Sequence, residues 1–427
     1  MMQLSEKIQL PCGLELPNRL AKAAMAEAMS SDHNPSKGFS SAYGEWADGG
    51  WGMLITGNVQ VSKIFHGSPA DVETSLHGQS PEQKAQWKNW AAVCQRSGTP
   101  TVIQLCHPGR QSPYGAGSSG FFQKNIAPSP VKLNLGESII ARTAVSLLFG
   151  TPREMTIDEI TGPEGIIAQF VEGSKQCYEA GFKGVELHAS HGYLLAQFMS
   201  STTNFRTDEF GGSAAKRVEV VLRIIREVRK ATSPEFCIGI KLNSVDAASS
   251  ESPEEVMEQI RLINEVGVDF MEISGGTYEN PRMMTEDAPD VEKRATSDPK
   301  TKQSTLLREA FFLQFAQDVR ARFPKVILMV TGGFRTRVGM EAALKSGGCD
   351  LIGIARPAAV LPKLPKEIIL NEKVSDEDAR VVLAPIPTPS WIKWIPIKAL
   401  GGGLQSKYYA GQIQRLAKGL LPVDSRI

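Results

Sequence analysis

The chain has 427 residues, 41 % of them hydrophobic, and a formal net charge of +1. That is ample for a large buried core, and so balanced a charge removes the electrostatic grounds for expecting nucleic acid or an anionic membrane as a partner. No run of about 18 apolar residues occurs; the start, MMQLSEKIQLPCG, lacks the apolar centre of a signal peptide. The stretch 138–150 is too short to span a membrane and contains Arg142, so it reads as an amphipathic or buried surface element. The six cysteines, Cys12, Cys94, Cys106, Cys177, Cys237 and Cys349, form no CxxC pair. Isolated in apolar contexts, they suit small hydrophobes of a reducing, cytoplasmic setting rather than an iron–sulfur cluster. The final Ser425-Arg426-Ile427 is a near miss to a peroxisomal address, a minor reading.

In chain order, IQLPCGLELPN alternates and turns at Cys12-Gly13, which predicts a hairpin plugging one end of the fold. Eight short apolar runs follow, at 19–25, 52–59, 100–107, 183–189, 236–243, 269–276, 325–333 and 349–356. Continuous rather than alternating apolar character suits parallel strands buried on both faces. Helical patterns lie between them. Residues 81–98 open on Ser80-Pro81 and close at Gly98, and 156–181 begins with a capping signature, Thr156 to Glu159. The segment 213–231 places Val218, Val221, Leu222 and Ile225 on one stripe. Further helices are expected at 252–267, 304–323 and 335–348. Eight βα units in series predict an α/β fold, a (β/α)8 TIM barrel over 1–364, with a doubly wound open sheet as the alternative. Residues 108–155, rich in Gly, Ser and Pro, read as a capping insertion after the third strand. Residues 365–427 read as an extension with too little core to stand alone, packed on the barrel or on a second subunit of a homodimer.

In such a barrel the C-terminal strand ends converge on one pocket. They supply Met25 and Ala26, Gly57, Gln104 and His107, His188 and His191, Lys241 and Asn243, Ser274 to Gly276, Gly332 and Gly333, and Ala355 and Arg356. A glycine pair and an arginine after the last two strands predict a phosphate grip, with tight turns and a carboxylate partner for Arg356 as the plainer reading. His188 and His191 read as a neutral donor pair for a substrate oxygen. The alternatives are a metal site completed by His107 or Glu186, or a merely structural polar network. Tyr193 is either a proton donor, its hydroxyl being protonated at neutral pH, or ordinary packing. Lys241, inside a hydrophobic strand, needs a partner: an electron-rich atom in the pocket, or a structural ion pair with Asp246 or Glu186.

Taken together, these residues resemble the old yellow enzyme family, the FMN-dependent ene reductases. The run HASHGYLLAQFMSSTTNFRTDEFGGS (188–213) carries that family's long signature, and NRLAKAAM (18–25), QLCHPGRQ (104–111) and GIARP (353–357) resemble its other landmarks. The resemblance spans about residues 1–365. It implies FMN across the barrel mouth, flanked by Ala23, Ala24, Met25 and Ala26, with Gln104 on its pyrimidine edge and Gly57 allowing close approach. Lys241 would stand where relatives have arginine, keeping the charge and losing the fork, and Gly332, Gly333, Ala355 and Arg356 would hold the phosphate. His188 and His191 would grip the carbonyl oxygen of an activated alkene and Tyr193 would protonate its α-carbon. NADH or NADPH would reload the flavin in the same pocket. Loss of one such oxygen donor costs about 100-fold.

Departures from the family pattern are Ala24 where proline is frequent, Ala26 where Thr or Cys can touch the flavin, and Ala355 for a common glycine. Ala28 replaces an aromatic residue, which predicts a wider pocket. Trp391 and Trp394 lie in the extension with no assigned place. The competing functions are a metal-dependent barrel hydrolase or lyase, a flavin-binding module without turnover, and a dehydrogenase, isomerase or oxidase of the same family.

Overall fold

The eight apolar runs become eight parallel strands of one closed barrel, in a computed structural model that describes residues 2–118, 120, 123–244, 252–275, 279, 303–383, 386 and 400–423. Asp246, Gly276, Trp391, Trp394 and the terminal 425–427 lie outside the described residues. In chain order the strands are β1 (Ile8–Gln9), β2 (Glu15–Leu16), β3 (Leu20–Lys22), β4 (Met53–Gln60), β5 (Val72–Glu73) and β6 (Thr101–Cys106). They continue with β7 (Ile126–Ala127), β8 (Arg153–Glu154), β9 (Gly184–Ala189), β10 (Cys237–Asn243), β11 (Phe270–Ser274), β12 (Leu328–Thr331) and β13 (Leu351–Ile354). The barrel runs β3-β4-β6-β9-β10-β11-β12-β13 and closes where β13 pairs with β3; β5 adds to the edge of β4.

Nearly every residue of these strands is buried on both faces, which is why the runs are continuously apolar. The lower barrel is filled by Met53, Ile55, Val102, Phe270, Met329 and Leu351. The antiparallel hairpin β1–β2 presses Leu10 and Leu16 into that layer, as the alternation of IQLPCGLEL requires.

The helices are α1 (Lys37–Ala47), α2 (Pro81–Cys94), α3 (Ile139–Leu148), α4 (Ile157–Thr161), α5 (Ile166–Ala180), α6 (Leu194–Met199), α7 (Ala214–Ala231), α8 (Pro253–Val266), α9 (Gln303–Arg322), α10 (Arg337–Lys345), α11 (Arg356–Val360) and α12 (Leu400–Ala417). The expected capping box at Thr156–Glu159 is present, the helix opening on Ser80-Pro81 carries a second one between Ser80 and Gln83, and the expected stripe on α7 is buried. The helix expected over 156–181 is instead two, α4 and α5. Gly162 takes an extended conformation and Pro163 follows, so the ladder is interrupted there. Helix α1 was outside the expectations; its Gly and Ser content masks a buried aromatic row, Phe39, Tyr43 and Trp46, at helical spacing. No helix among the described residues is long and apolar enough to cross a membrane.

The insertion after β6 is tied to the turn after β9 by Gln111, whose Nε2 donates to the His191 carbonyl at 2.9 Å, and is fastened further by Arg110. This buried guanidinium donates to the carbonyls of Val131 and Lys132 and pairs with Glu279 at 2.6 Å. Glu279 in turn accepts the Asn134 N–H. In the extension, Arg337 on α10 collects the carbonyls of Ile368, Ile369, Asn371 and Val374. Helix α12 packs on α1 and α11, and Gln414 donates to the carbonyls of Glu27 and Ala28.

Candidate active site

The strand ends enclose a cavity of about 300 Å³ whose wall includes Ala24, Met25, Ala26, Gln104, His188, His191, Tyr193, Lys241, Gly332, Gly333, Ala355 and Arg356. Those expected positions therefore meet in one place. A wider depression of about 490 Å³ lies at the opposite, N-terminal ends of the strands, around Asn18, Trp51 and Lys366. In barrels that end serves stability rather than chemistry.

Strand β9 delivers His188, and the turn after it delivers His191 and Tyr193. His191 is held at φ +58, a left-handed conformation rare outside glycine. Its N–H donates to Asn243 Oδ1 at 3.1 Å, and its Nε2 lies 3.1 Å from Ser274 Oγ. His188 Nδ1 accepts from the Ser190 N–H at 3.4 Å, which assigns the ring proton to Nε2. The two rings stand edge to face, 5.0 Å apart. Burial first, then His191 and Lys241, hold His188 well below the usual imidazole range; burial and Lys241 do the same to His191. Both imidazoles are neutral. Tyr193, buried at the start of α6, sets its ring on His188 at 4.6 Å, and Asn58 Nδ2 approaches its hydroxyl at 3.5 Å.

Asp246 lies outside the described residues, and among those described Lys241 pairs with Glu272 rather than Glu186. Its Nζ sits 2.7 Å from Glu272 Oε1, on the neighbouring strand β11 at the same register, and both side chains are buried. Gln104 is turned likewise: its Nε2 donates to Glu186 Oε2 at 2.5 Å. Burial first, and next the Glu272 carboxylate, push Glu186 well above the usual carboxylate range, so Glu186 keeps its proton. The period-2 alternation that sends Glu186 and His188 inward together explains the cluster, and Glu272 joins it through the register between β10 and β11, which spacing along the chain does not display.

Two expected contacts stand elsewhere. Ala23 is fully buried outside the cavity wall, its N–H on the Ile354 carbonyl. Gly57 leaves room for protein: a Cβ there would meet the Glu27 carboxylate at 1.9 Å, and its N–H donates to Glu27 Oε1 at 2.8 Å. Ala28, at φ +47, is not among the residues of the wall.

The far wall is sparser. Thr331 Oγ1 is buried without a hydrogen-bond partner. Gly332 and Gly333 both have positive φ, and a Cβ on Gly332 would come within 2.7 Å of the Phe312 ring. Arg356 donates to Gln405 Oε1 of α12 at 3.0 Å, and among the described residues it has no carboxylate partner. The wall also includes Asn58, Phe312, Thr331, Arg335, Gln405 and Tyr409. Strand-end logic could have found Thr331 and Asn58. The α12 residues could not be placed from spacing.

An orphaned hydroxyl, bare backbone, a guanidinium free of carboxylates and a buried cation together fit a planar, phosphate-bearing group such as FMN. Among the described residues, no group of three metal-ligating side chains includes His188 or His191.

Comparison with known proteins gives concordant results. Residues 6–373 match the family described as NADH:flavin oxidoreductase / NADH oxidase family. The chain is 46 % identical over 420 residues to the NADH-dependent flavin oxidoreductase iccE of Talaromyces variabilis, covering 98 % of this chain and 99 % of that one. Morphinone reductase in complex with tetrahydroNAD superposes with a TM-score of 0.67 at 24 % identity, over 88 % of this chain and 92 % of its own. A 2-naphthoyl-CoA reductase complex gives a TM-score of 0.72 at 22 % identity; the match covers 88 % of this chain and about half, 53 %, of that longer protein. At such identities the structures attest the shared barrel.

Proposed function

The chain belongs to the NADH:flavin oxidoreductase / NADH oxidase family, the old yellow enzyme family of FMN-dependent oxidoreductases, and from that premise we propose that it reduces the activated C=C bond of an α,β-unsaturated carbonyl compound in a ping-pong cycle. The metal-dependent hydrolase alternative is set aside by the family match. Bound FMN supplies the hydride, taken from NADH or NADPH and passed to the β-carbon.

The observation that carries this reading is the set of two neutral imidazoles and a phenol, from the end of β9 and the turn after it, beside a buried cation. Each neutral imidazole offers one N–H, so the pair grips an oxygen without presenting a net charge. His188, with its proton on Nε2, and His191 hold the carbonyl oxygen and withdraw electron density from the conjugated bond. Tyr193 gives its hydroxyl proton to the α-carbon. Lys241, steadied by Glu272, would face the flavin's pyrimidine edge. Gly332, Gly333, Ala355 and Arg356 would hold the phosphate, and Ala24, Met25 and Ala26 would lie along the ring. Gln104 serves the pyrimidine edge only if its amide leaves Glu186, or serves it by its carbonyl oxygen.

Tyr193→Phe separates the two halves of the cycle. Flavin bleaching by NADH keeps its rate, and reoxidation by an enone slows by about 100-fold or more, within the usual range for a positioned acid. Equal slowing of both halves in stopped-flow absorbance would show that the phenol has no such role.

A further inference from the structure

We propose that His33, His66 and Glu73 form a binding site for a divalent transition-metal ion of the zinc type, joining two loops at the barrel mouth. His33 lies in the loop between β3 and α1, His66 in the loop after β4, and Glu73 at the end of β5. One ligand atom from each lies within 4.8 Å of the other two. Ligands around a tetrahedral zinc with bonds of about 2.0 Å are roughly 3.3 Å apart, so side-chain adjustments on the order of 1 Å close the triangle.

Three further observations point to an ion rather than a simple ion pair. The first concerns His66, whose side chain is fully buried. Its Nε2 is 2.9 Å from Glu73 Oε2, yet neither atom has a hydrogen-bond partner, nor does His66 Nδ1. Close approach without alignment is the geometry of two ligands aimed at a shared third point; a donor–acceptor pair would place the ring N–H on the oxygen. The second is the support of His33. Its Nδ1 lies 3.0 Å from the Asp71 carbonyl oxygen, the kind of backbone contact that orients metal-binding imidazoles, and this leaves Nε2 for a ligand. The third is strain: His33 is held at φ +61, with its own carbonyl accepting the Glu73 N–H at 2.9 Å. Non-glycine residues rarely adopt that conformation unless the surroundings require it.

Two imidazoles and one carboxylate suit zinc and leave a fourth position for water. His33 and Glu73 are partly exposed, which gives the ion a way in. A second group within the same distance limit, Cys12, Cys237 and Asp269, lacks these features: the Asp269 carboxylate already takes the Arg229 guanidinium and the Ile238 N–H.

The role is positional. Gly67, next to His66, lies near the site: a Cβ there would be 4.0 Å from the Tyr193 hydroxyl. An ion at His33, His66 and Glu73 fixes this loop to the segment that leads from Ala26 into α1.

Titration of chelator-treated holoprotein with Co²⁺ tests the site. We expect uptake of one equivalent, with ligand-field bands at longer wavelength than the flavin, displaced by Zn²⁺, and a higher Tm in Zn²⁺. His33→Ala and Glu73→Gln should each weaken Co²⁺ binding by about 10-fold or more, in line with loss of a ligand contact, while the flavin spectrum reports that each variant is folded. Wild-type protein that takes up no stoichiometric Co²⁺ or Zn²⁺, or binding unchanged in both variants, would overturn the assignment; if one variant loses its flavin, the wild-type titration and the other variant decide.

Discussion

The two sides of the barrel mouth are built on opposite plans. The wall from β6 to β11 is crowded with polar side chains that already answer one another: His191 with Ser274 and Asn243, Lys241 with Glu272, Gln104 with Glu186. The wall from β12 to β13 offers bare backbone, an orphaned hydroxyl and an arginine whose partner among the described residues is an amide. The first is organised before anything binds, and the second is organised to be completed by what binds. On the proposed reading, the first wall would meet the substrate oxygen and the flavin's pyrimidine edge, and the second would hold the phosphate.

The largest effect should come from breaking the crowded wall. Lys241→Met leaves Glu186 and Glu272 without their cation, and removal of one partner from a buried pair costs about 3–5 kcal/mol. Urea unfolding should show that loss; a variant as stable as the wild type would mean the carboxyl pair holds its proton arrangement without help. On the sparse wall, Arg356→Ala should leave the apoprotein nearly as stable and raise the FMN dissociation constant roughly tenfold or more, as expected for one charge-assisted hydrogen bond of about 1.5–3 kcal/mol. A large stability loss with unchanged FMN affinity would reverse the division of labour.

The smallest effect is in pH dependence. Burial holds His107 at about 3 and keeps His188 and His191 well below the usual range. Below pH about 6.5 the unfolded chain gains protons at these sites and the folded chain does not, so stability falls with pH by about 1.4 kcal/mol per unit for each histidine. Asp71, pushed up to about 6 by burial, and Glu186 have the opposite sign, because their folded forms hold protons the unfolded chain has released. Three against two leaves these groups with a net loss of about 1.4 kcal/mol per unit between roughly pH 6 and 4.5. His188→Asn removes one histidine and should flatten the slope of unfolding free energy over that interval.

The barrel was legible because its strands are buried on both faces, so the runs at 184–189, 237–243 and 270–274 stand out as apolar blocks. Strand-end logic then brought His188, Lys241 and Arg356 to one mouth. Partners across strands were harder, since Glu272 meets Lys241 through register rather than sequence proximity. Lys22 was hidden within an apolar run. It is buried, bonded to the Ile55 carbonyl at 2.9 Å and lying 4.5 Å from the Trp46 ring, and burial lowers it to about 8. Contacts made by the extension, such as Gln405 on Arg356, depend on long-range packing that no local period encodes.

The most direct test of the account is anaerobic titration of the purified yellow protein with NADH, followed by an enone. The account predicts that the flavin band bleaches with one equivalent of NADH and returns on addition of the enone, with the saturated carbonyl compound as product. Flavin that bleaches and returns only with oxygen, or protein that binds no FMN, would contradict it.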